Sequence, residues 1–505
     1  MLPVWVLVLS MIVVSGAGTI EGLYATPSDR AEFADSMSTN GSLRALYGTV
    51  FGDSVGALVA WRFGVSTAVL AAVMSLLIVI RHTREEEETG RQEMIASGVV
   101  GRRAGLTAAL LTAFVANAAV AVLVAAGLAG STGDPAGGVA LGLGIAGVGL
   151  LFAGVAAIAA QFTESARLAR GLTGAALGLA FGLRAAGDAG DAHGDAVLTW
   201  LSPLGWAGHL RPYAGERWWI LLLFAAAVIG QGALAFVLAG RRDVGMSFLP
   251  TRPGPAEGRL GTVAALAWRL QRGALYGWTA GFLVAGFVFG GMADGAADLV
   301  GENESTREIF ERMGGQSGLT EAFLAAIAGL FAMLAAVYVV GSVLRLHGEE
   351  AGQRAEPLLA TAVSRTAWAA SHLTIAFGGA VVVVTAAGLG LAVGHGKDFG
   401  AVLGAALVLL PAVWLLGGLA VLVHGFFPRY APAAWAVVGT ALAIGWLGPA
   451  LDLPAAVLDL SPFSHLPKMP GEAMNWPPVL VLTALAAGLV AAGLAGLRRR
   501  DILTG

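Results

Sequence analysis

Long apolar runs recur along this chain, and a run that crosses ~30 Å of hydrocarbon restricts its backbone to a helix or a closed barrel. Twelve such runs are readable, at roughly 3–22, 55–80, 104–130, 137–160, 171–187, 218–240, 274–296, 319–344, 366–394, 402–425, 432–450 and 477–497. With 57% hydrophobic residues and a mean hydropathy of +0.76, the expectation is an all-α polytopic membrane protein of about twelve transmembrane helices. The first run precedes small residues, as in a signal peptide. No basic segment precedes it, so a retained first helix is expected.

Against this background residues 81–103, RHTREEEETGRQEMIASGVVGRR, form a dense charged island. A capping box between Thr83 and Glu86, a Glu87–Arg91 pair and a stop at Gly98 predict a short surface helix. The island recurs at 345–365, RLHGEEAGQRAEPLLATAVSR. Glu87, Glu88 and Gly90 align with Glu349, Glu350 and Gly352 at a shift of 262, and Glu93 to Arg102 with Glu356 to Arg365 at 263. Pro357 predicts a break at Glu356, because proline fits only the first turn of a helix.

Other features keep the same order in both halves. LSPLGWAGHLRPYAGERWW, with Ser202, Pro203 and Trp206, echoes LSPFSHLPKMPGEAMNWPP, with Ser461 and Pro462. Each half then closes with Arg-Arg-Asp, at Arg241-Arg242-Asp243 and Arg499-Arg500-Asp501. The chain is a tandem six-plus-six repeat, and an even number of spans per copy gives the two copies the same orientation. The halves are 1–243 and 274–505, joined by 244–273, a Pro/Gly-rich linker followed by an amphipathic stretch with Leu260, Val263, Leu266 and Leu270 on one face.

With the N-terminus inside, the inner segments hold 20 of the 30 lysines and arginines, so the positive-inside rule places both islands and both termini in the cytosol of a bacterial-type plasma membrane. AEFADSMSTNGS and LVGENESTREIFERMGGQSG then read as polar outer loops, and the Ser-Pro segments as structured pieces of the outer interface.

Several chemistries are missing. There is no cysteine, and hence no disulfide, thiolate metal site or cysteine nucleophile. No G-x-x-x-x-G-K-[ST] occurs, so the chain is expected to be no enzyme and to hold no cofactor. No histidine cluster suggests a metal. His82, His347 and His424 lie singly near cytosolic helix ends and read as interfacial residues, while Asn117, Gln161 and Gln231 read as interhelical hydrogen-bonding groups. Arg62 and Arg184 sit near outer span ends, where snorkelling is expected. No span shows a convincing central carboxylate, which weakens an ion-driven mechanism. The net charge of −3 decides nothing, and no nucleic-acid partner is expected.

Membrane topology needs arginine at the inner surface, but not four consecutive glutamates facing anionic lipid. The islands therefore read as docking sites for a protein partner. On that reading, replacing Glu87 and Glu88, or Glu349 and Glu350, should leave folding intact.

RHTREEEETGRQEMIASGVVGR, with SPLGW and AWRLQRG, resembles the permease subunits of ATP-binding-cassette exporters identified as polyketide antibiotic exporters. The resemblance covers essentially the whole chain. It implies a permease in the lipid bilayer that moves a lipophilic compound outward, paired with a separate, dimeric ATP-binding protein carrying ATP and Mg. It would make Glu85, Glu86, Glu87, Glu88, Gly90 and Glu93, with Glu349, Glu350, Gly352 and Glu356, parts of two cytosolic coupling elements, Arg102 and Arg365 standing at their ends. A secondary carrier of the major facilitator type would need G-x-x-x-D-R-x-G-R-R in the loop after span two, and the glutamate-rich island has no Asp-Arg. A non-transporting scaffold or sensor is opposed only by the duplicated, path-like architecture.

Overall fold

The computed structural model describes the chain except residues 1, 40, 97, 99, 102, 244, 250–260, 294–317, 448–453 and 502–505. Two compact units divide at Pro253 and Gly254. The described backbone is almost entirely helical.

The first unit contains α1 (Leu2–Leu23), α2 (Pro27–Thr39), α3 (Gly41–Tyr47), α4 (Val55–Ile80), α5 (Glu86–Glu88), α6 (Arg91–Ala96), α7 (Ala104–Thr132), α8 (Pro135–Phe162), α9 (Ala166–Gly190), α10 (Val197–Trp200), α11 (Pro203–His209) and α12 (Ile220–Arg241). The small-residue helix α8 is its centre, packed against α4, α7 and α12. The second unit contains α13 (Val263–Gly291), α14 (Leu319–Ala351), α15 (Ala355–Leu359), α16 (Arg365–His395), α17 (Phe399–Leu407), α18 (Leu410–Phe426), α19 (Ala434–Leu447), α20 (Ala455–Leu458) and α21 (Trp476–Arg499). There α14 packs against α16 and α18, and α21 lies along α18.

Among the described residues ten helices are long and apolar enough to cross a membrane. The chain is a multi-pass membrane protein, but two of the twelve expected spans fall short. At the fifth place, α9 carries three arginines and six glycines over its 25 residues. At the eleventh, α19 has 14 described residues; 432 and 433 belong to the 3-10 turn Pro428–Ala433 before it, and 448–450 lie outside the described residues. The tenth span is divided between α17 and α18, with Pro411 in the first turn of α18, where a missing N–H costs nothing. The amphipathic stretch before span seven is no separate helix: α13 runs through both, and Leu260 lies outside the described residues.

The first expected outer loop is helical. Its α3, which carries α2, folds against the end of α9 and corrects the snorkelling expected of Arg184, which is 1% exposed. Arg184 Nη1 lies 3.0 Å from Asp188 Oδ2, and its Nη2 donates to the Ala45 carbonyl of α3 at 2.6 Å. Arg44 returns the tie, donating from Nε to the Asp188 carbonyl at 2.9 Å. Arg62 stays exposed, its guanidinium 4.1 Å from the centre of the Tyr47 ring. The second expected outer loop lies outside the described residues.

Glycine sets the closest helix pair. Gly286 and Gly290 of α13 face Gly390 and Gly394 of α16 with backbones in contact, so that a Cβ at any of the four would overlap a carbonyl of the opposite helix. In lipid, where apolar side chains gain nothing from leaving water, such backbone approach supplies the attraction. Replacing Gly290 by valine should force α13 from α16 and lower resistance to unfolding in detergent by several kcal/mol, whereas Gly277→Val on α13, where a Cβ meets nothing within 4 Å, should change it little; equal effects would refute the close pair.

Candidate functional site at the charged end of each half

No helix starts at Thr83 in the first island. The apolar turns of α4 continue through a π turn, Arg81–Glu85, directly into α5. Thr83 is therefore inside a helix, and its hydroxyl donates to the Val79 carbonyl at 2.6 Å. The expected capping box is absent because unpaired N–H groups occur only where a helix begins. Gly90, with φ of +70°, provides the turn into α6.

All four glutamates are engaged inside their own half. Glu85 pairs with Arg170 of α9. Glu86 Oε1 lies 3.6 Å from Arg91. Glu88 Oε1 accepts the Ala166 backbone N–H at 2.6 Å, at the positive end of the α9 dipole. Glu87 holds two guanidinium groups: Arg84 Nη1 at 2.7 Å, and Arg242 through Nη2 at 2.7 Å and Nη1 at 2.9 Å. The expected Glu87–Arg91 pair does not form, because the wider π turn shifts the register and turns Glu87 inward.

The rest of this cluster is backbone and amide. Arg84, 1% exposed, donates from Nε to the Ala160 carbonyl at 2.9 Å and from Nη1 to the Met246 carbonyl at 3.2 Å. Arg242 Nε donates to Gln161 Oε1 at 2.6 Å. The end of α4, the end of α8 and the segment after α12 are thus tied through one carboxylate.

The second half repeats the tie with different chemistry. Glu350, its side chain 0% exposed at the end of α14, accepts from Arg500 Nη2 at 2.9 Å on both oxygens. His424 Nε2 of α18 lies 3.6 Å from Glu350 Oε1, and the His347 ring meets His424 edge-on at 6.2 Å. Arg84, Glu87 and Gln161 are offset from His347, Glu350 and His424 by the same 263 residues. This corrects two expectations. The partner of Glu87 in the repeat is Glu350 rather than Glu349, and His347 and His424 are neighbours, the first half-buried and the second buried, rather than single interfacial residues. His82 remains exposed.

Glu349 has a local role, accepting from Arg354 Nε at 3.0 Å. The helix breaks at Gly352–Arg354, with Gln353 at φ +56°, so the bend precedes Glu356, and Pro357 sits in the first turn of α15. Arg365 Nη1 donates to the Arg500 carbonyl and joins the cluster; Arg102 lies outside the described residues. Glu93, Gly352 and Glu356 are exposed, and Gly90 is half-buried. Glu87 and Glu350 therefore hold packed helix ends, and alanine at either position would not be silent in folding.

Of the three amides expected to bond between helices, Asn117 does so, Nδ2 of α7 donating to Ser75 Oγ of α4 at 2.8 Å, whereas Gln231 Oε1 has no hydrogen-bond partner among the described residues. At the opposite end of the first half, Ser202 precedes Pro203 and α11; its hydroxyl accepts from the Leu204 N–H at 3.2 Å and donates to the Ala180 carbonyl of α9 at 2.7 Å. Trp206 Nε1 donates to the Trp200 carbonyl at 2.7 Å. Nearby His209 is buried, and burial pushes its imidazole down to about 4, keeping it neutral. Ser461 likewise precedes Pro462, but its side chain makes no capping bond.

Arg84, Gln161, Arg242, His424 and Arg500 are the cluster members that the sequence reading did not place there. The shared offset and the Arg-Arg-Asp ends carried the signal. Removing one partner from a buried ion pair costs about 3–5 kcal/mol, and an exposed pair contributes under ~1 kcal/mol. Glu350→Ala should accordingly destabilise the purified chain far more than Glu349→Ala, whose partner Arg354 is 63% exposed; equal losses in detergent unfolding would restore the shift of 262.

Residues 260–498 match the family described as "Multidrug efflux system permease Rv1217c, C-terminal domain". The chain is 44% identical to the "Multidrug efflux system permease protein Rv1217c" of Mycobacterium tuberculosis over 511 residues, covering 99% of this chain and 92% of the relative. The matched region contains His347, Glu350, Arg365 and His424 of the second cluster and ends just before Arg500. Identity at that level across both chains is evidence of common descent, and this chain belongs to the family of multidrug efflux system permeases.

Proposed function

We propose that the chain is the membrane permease of an ATP-binding-cassette exporter, passing a lipophilic compound outward while a separate ATP-binding subunit, acting as a dimer with Mg, hydrolyses ATP. The observation that carries this reading is the near-full-length likeness to a protein named as a multidrug efflux system permease. The sequence supports the division of labour, since it contains no P-loop lysine motif with which to hold a nucleotide.

The charged ends suit transmission of movement. Exposed Arg91, Glu93, Gly352 and Glu356 offer contact points on α6 and the α14–α15 bend. Behind them Glu87 and Glu350 are bonded to helices of the membrane region. A push on the exposed residues would travel through these buried pairs into α4, α8 and α12, or into α14, α18 and α21, as coupling through a contiguous polar network requires. Alternating access would follow from movement of the spans, with the chain supplying a path and the partner the chemical energy.

Reconstituted alone in vesicles, the chain should hydrolyse no ATP; with its ATP-binding subunit it should export a lipophilic dye in an ATP-dependent way. Hydrolysis by the lone chain, free of contaminants, would end this reading. The absence of cysteine makes orientation directly measurable. Single cysteines at exposed Thr39 and Thr361 should differ, the first labelled by an impermeant reagent from outside and the second protected. The reverse pattern would invert the proposed topology.

A further inference from the structure

Each half contains a cavity at its Ser-Pro end, in corresponding places. In the first half it lies among α4, α8 and α11, bordered by Trp61, Ile145 and Leu204, and measures about 70 Å³. In the second it lies among α14, α17, α19 and the turn Pro462–His465, bordered by Met333, Leu409, Ile444, Phe463 and Met469, and measures about 240 Å³. The repeat kept the position and changed the room.

It also changed the polar group. Ser202 has both a donor and an acceptor partner. Ser461 stands at the matching place, is 1% exposed and borders the larger cavity, yet its Oγ has no hydrogen-bond partner among the described residues. A buried hydroxyl left without a partner is costly, and a ligand oxygen at that point would restore the bond. The surrounding surface is apolar and polarisable. Two methionine thioethers and the Phe463 ring suit the face and edge of an aromatic system.

Charge selects a neutral guest. Lys468 and exposed Asp459 border the cavity, and Glu472, whose Oε2 accepts the Lys468 backbone N–H at 2.9 Å, acts on the same ammonium. One ammonium against two carboxylates leaves no excess positive charge for an anion, and no buried carboxylate borders the cavity to hold a cation.

We infer that the second-half cavity binds a neutral aromatic ligand bearing a hydroxyl or carbonyl oxygen, hydrogen-bonded to Ser461 and held between Met333, Phe463 and Met469. The permease reading enters only in identifying this ligand as cargo. The first-half cavity, smaller and not bordered by Ser202, does not share the site.

The test is equilibrium binding of 2-naphthol and naphthalene to the purified full chain in detergent, without nucleotide or partner. Wild-type protein should bind 2-naphthol at one saturable site about tenfold more tightly than naphthalene, the size of one net hydrogen bond. Ser461→Ala removes the hydroxyl without removing a capping bond, and should abolish that preference. Gly329→Leu points a side chain from a position where a Cβ meets nothing within 4 Å into the cavity, and favours the helix; it should abolish saturable binding of both probes. Partition into micelles is common to all variants and cancels. Unchanged preference in Ser461→Ala, or unchanged binding in a correctly folded Gly329→Leu, overturns the site. Loss of ATP-driven export with probe binding intact counts against the permease reading alone.

Discussion

In each half one buried carboxylate grips an arginine that lies just beyond the last helix, Glu87 with Arg242 and Glu350 with Arg500. The arrangement at the charged ends depends on these pairs. Two ions removed from water are held at a desolvation cost of several kcal/mol each, and their mutual attraction offsets it only when the geometry is close and the remaining donors are occupied. In the first half they are occupied, by Gln161 and the Ala160 and Met246 carbonyls; in the second Arg500 also reaches His424 and the Asp501 carbonyl, while its Nε has no hydrogen-bond partner among the described residues. A buried pair of this kind is weak evidence for net stability but strong evidence for register, because few other alignments of the three helix ends would leave every charge paired.

The same repeat has taken two chemical forms. Arg84 and Gln161 in the first half are always-charged and never-charged groups, respectively, near neutral pH. Their counterparts His347 and His424 both carry titratable rings. At the other end the divergence is spatial: α9 runs 25 residues and supplies the carbonyl that satisfies Ser202, whereas the described part of α19 is 14 residues long and Ser461 borders open space. One frame therefore supports a small cavity in the first copy and one large enough for an aromatic ring system in the second.

The acidic run of the first island illustrates how function and structure share residues. Four glutamates at a membrane surface suggest an outward-facing recognition patch. In the fold each has an internal partner, and the surfaces left for another protein are Glu93, Arg91 and the bend after α14. A partner acting there would be mechanically connected to the spans by the glutamates themselves.

The sequence by itself determined the class of fold and the family, because these rest on local quantities: apolar run length and recurring short motifs. It did not determine which glutamate turns inward. That choice depends on a π turn that no residue pattern announced, and on arginines 155 and 150 residues away. Nor did it show that Arg184 is buried against Asp188, since only the folding of α3 over α9 supplies the carbonyls that make burial tolerable. Spans can be read from the chain because hydrocarbon imposes the same length and apolarity on every one; their pairing could not, because a buried charge is satisfied by whatever the tertiary structure brings within 3 Å of it.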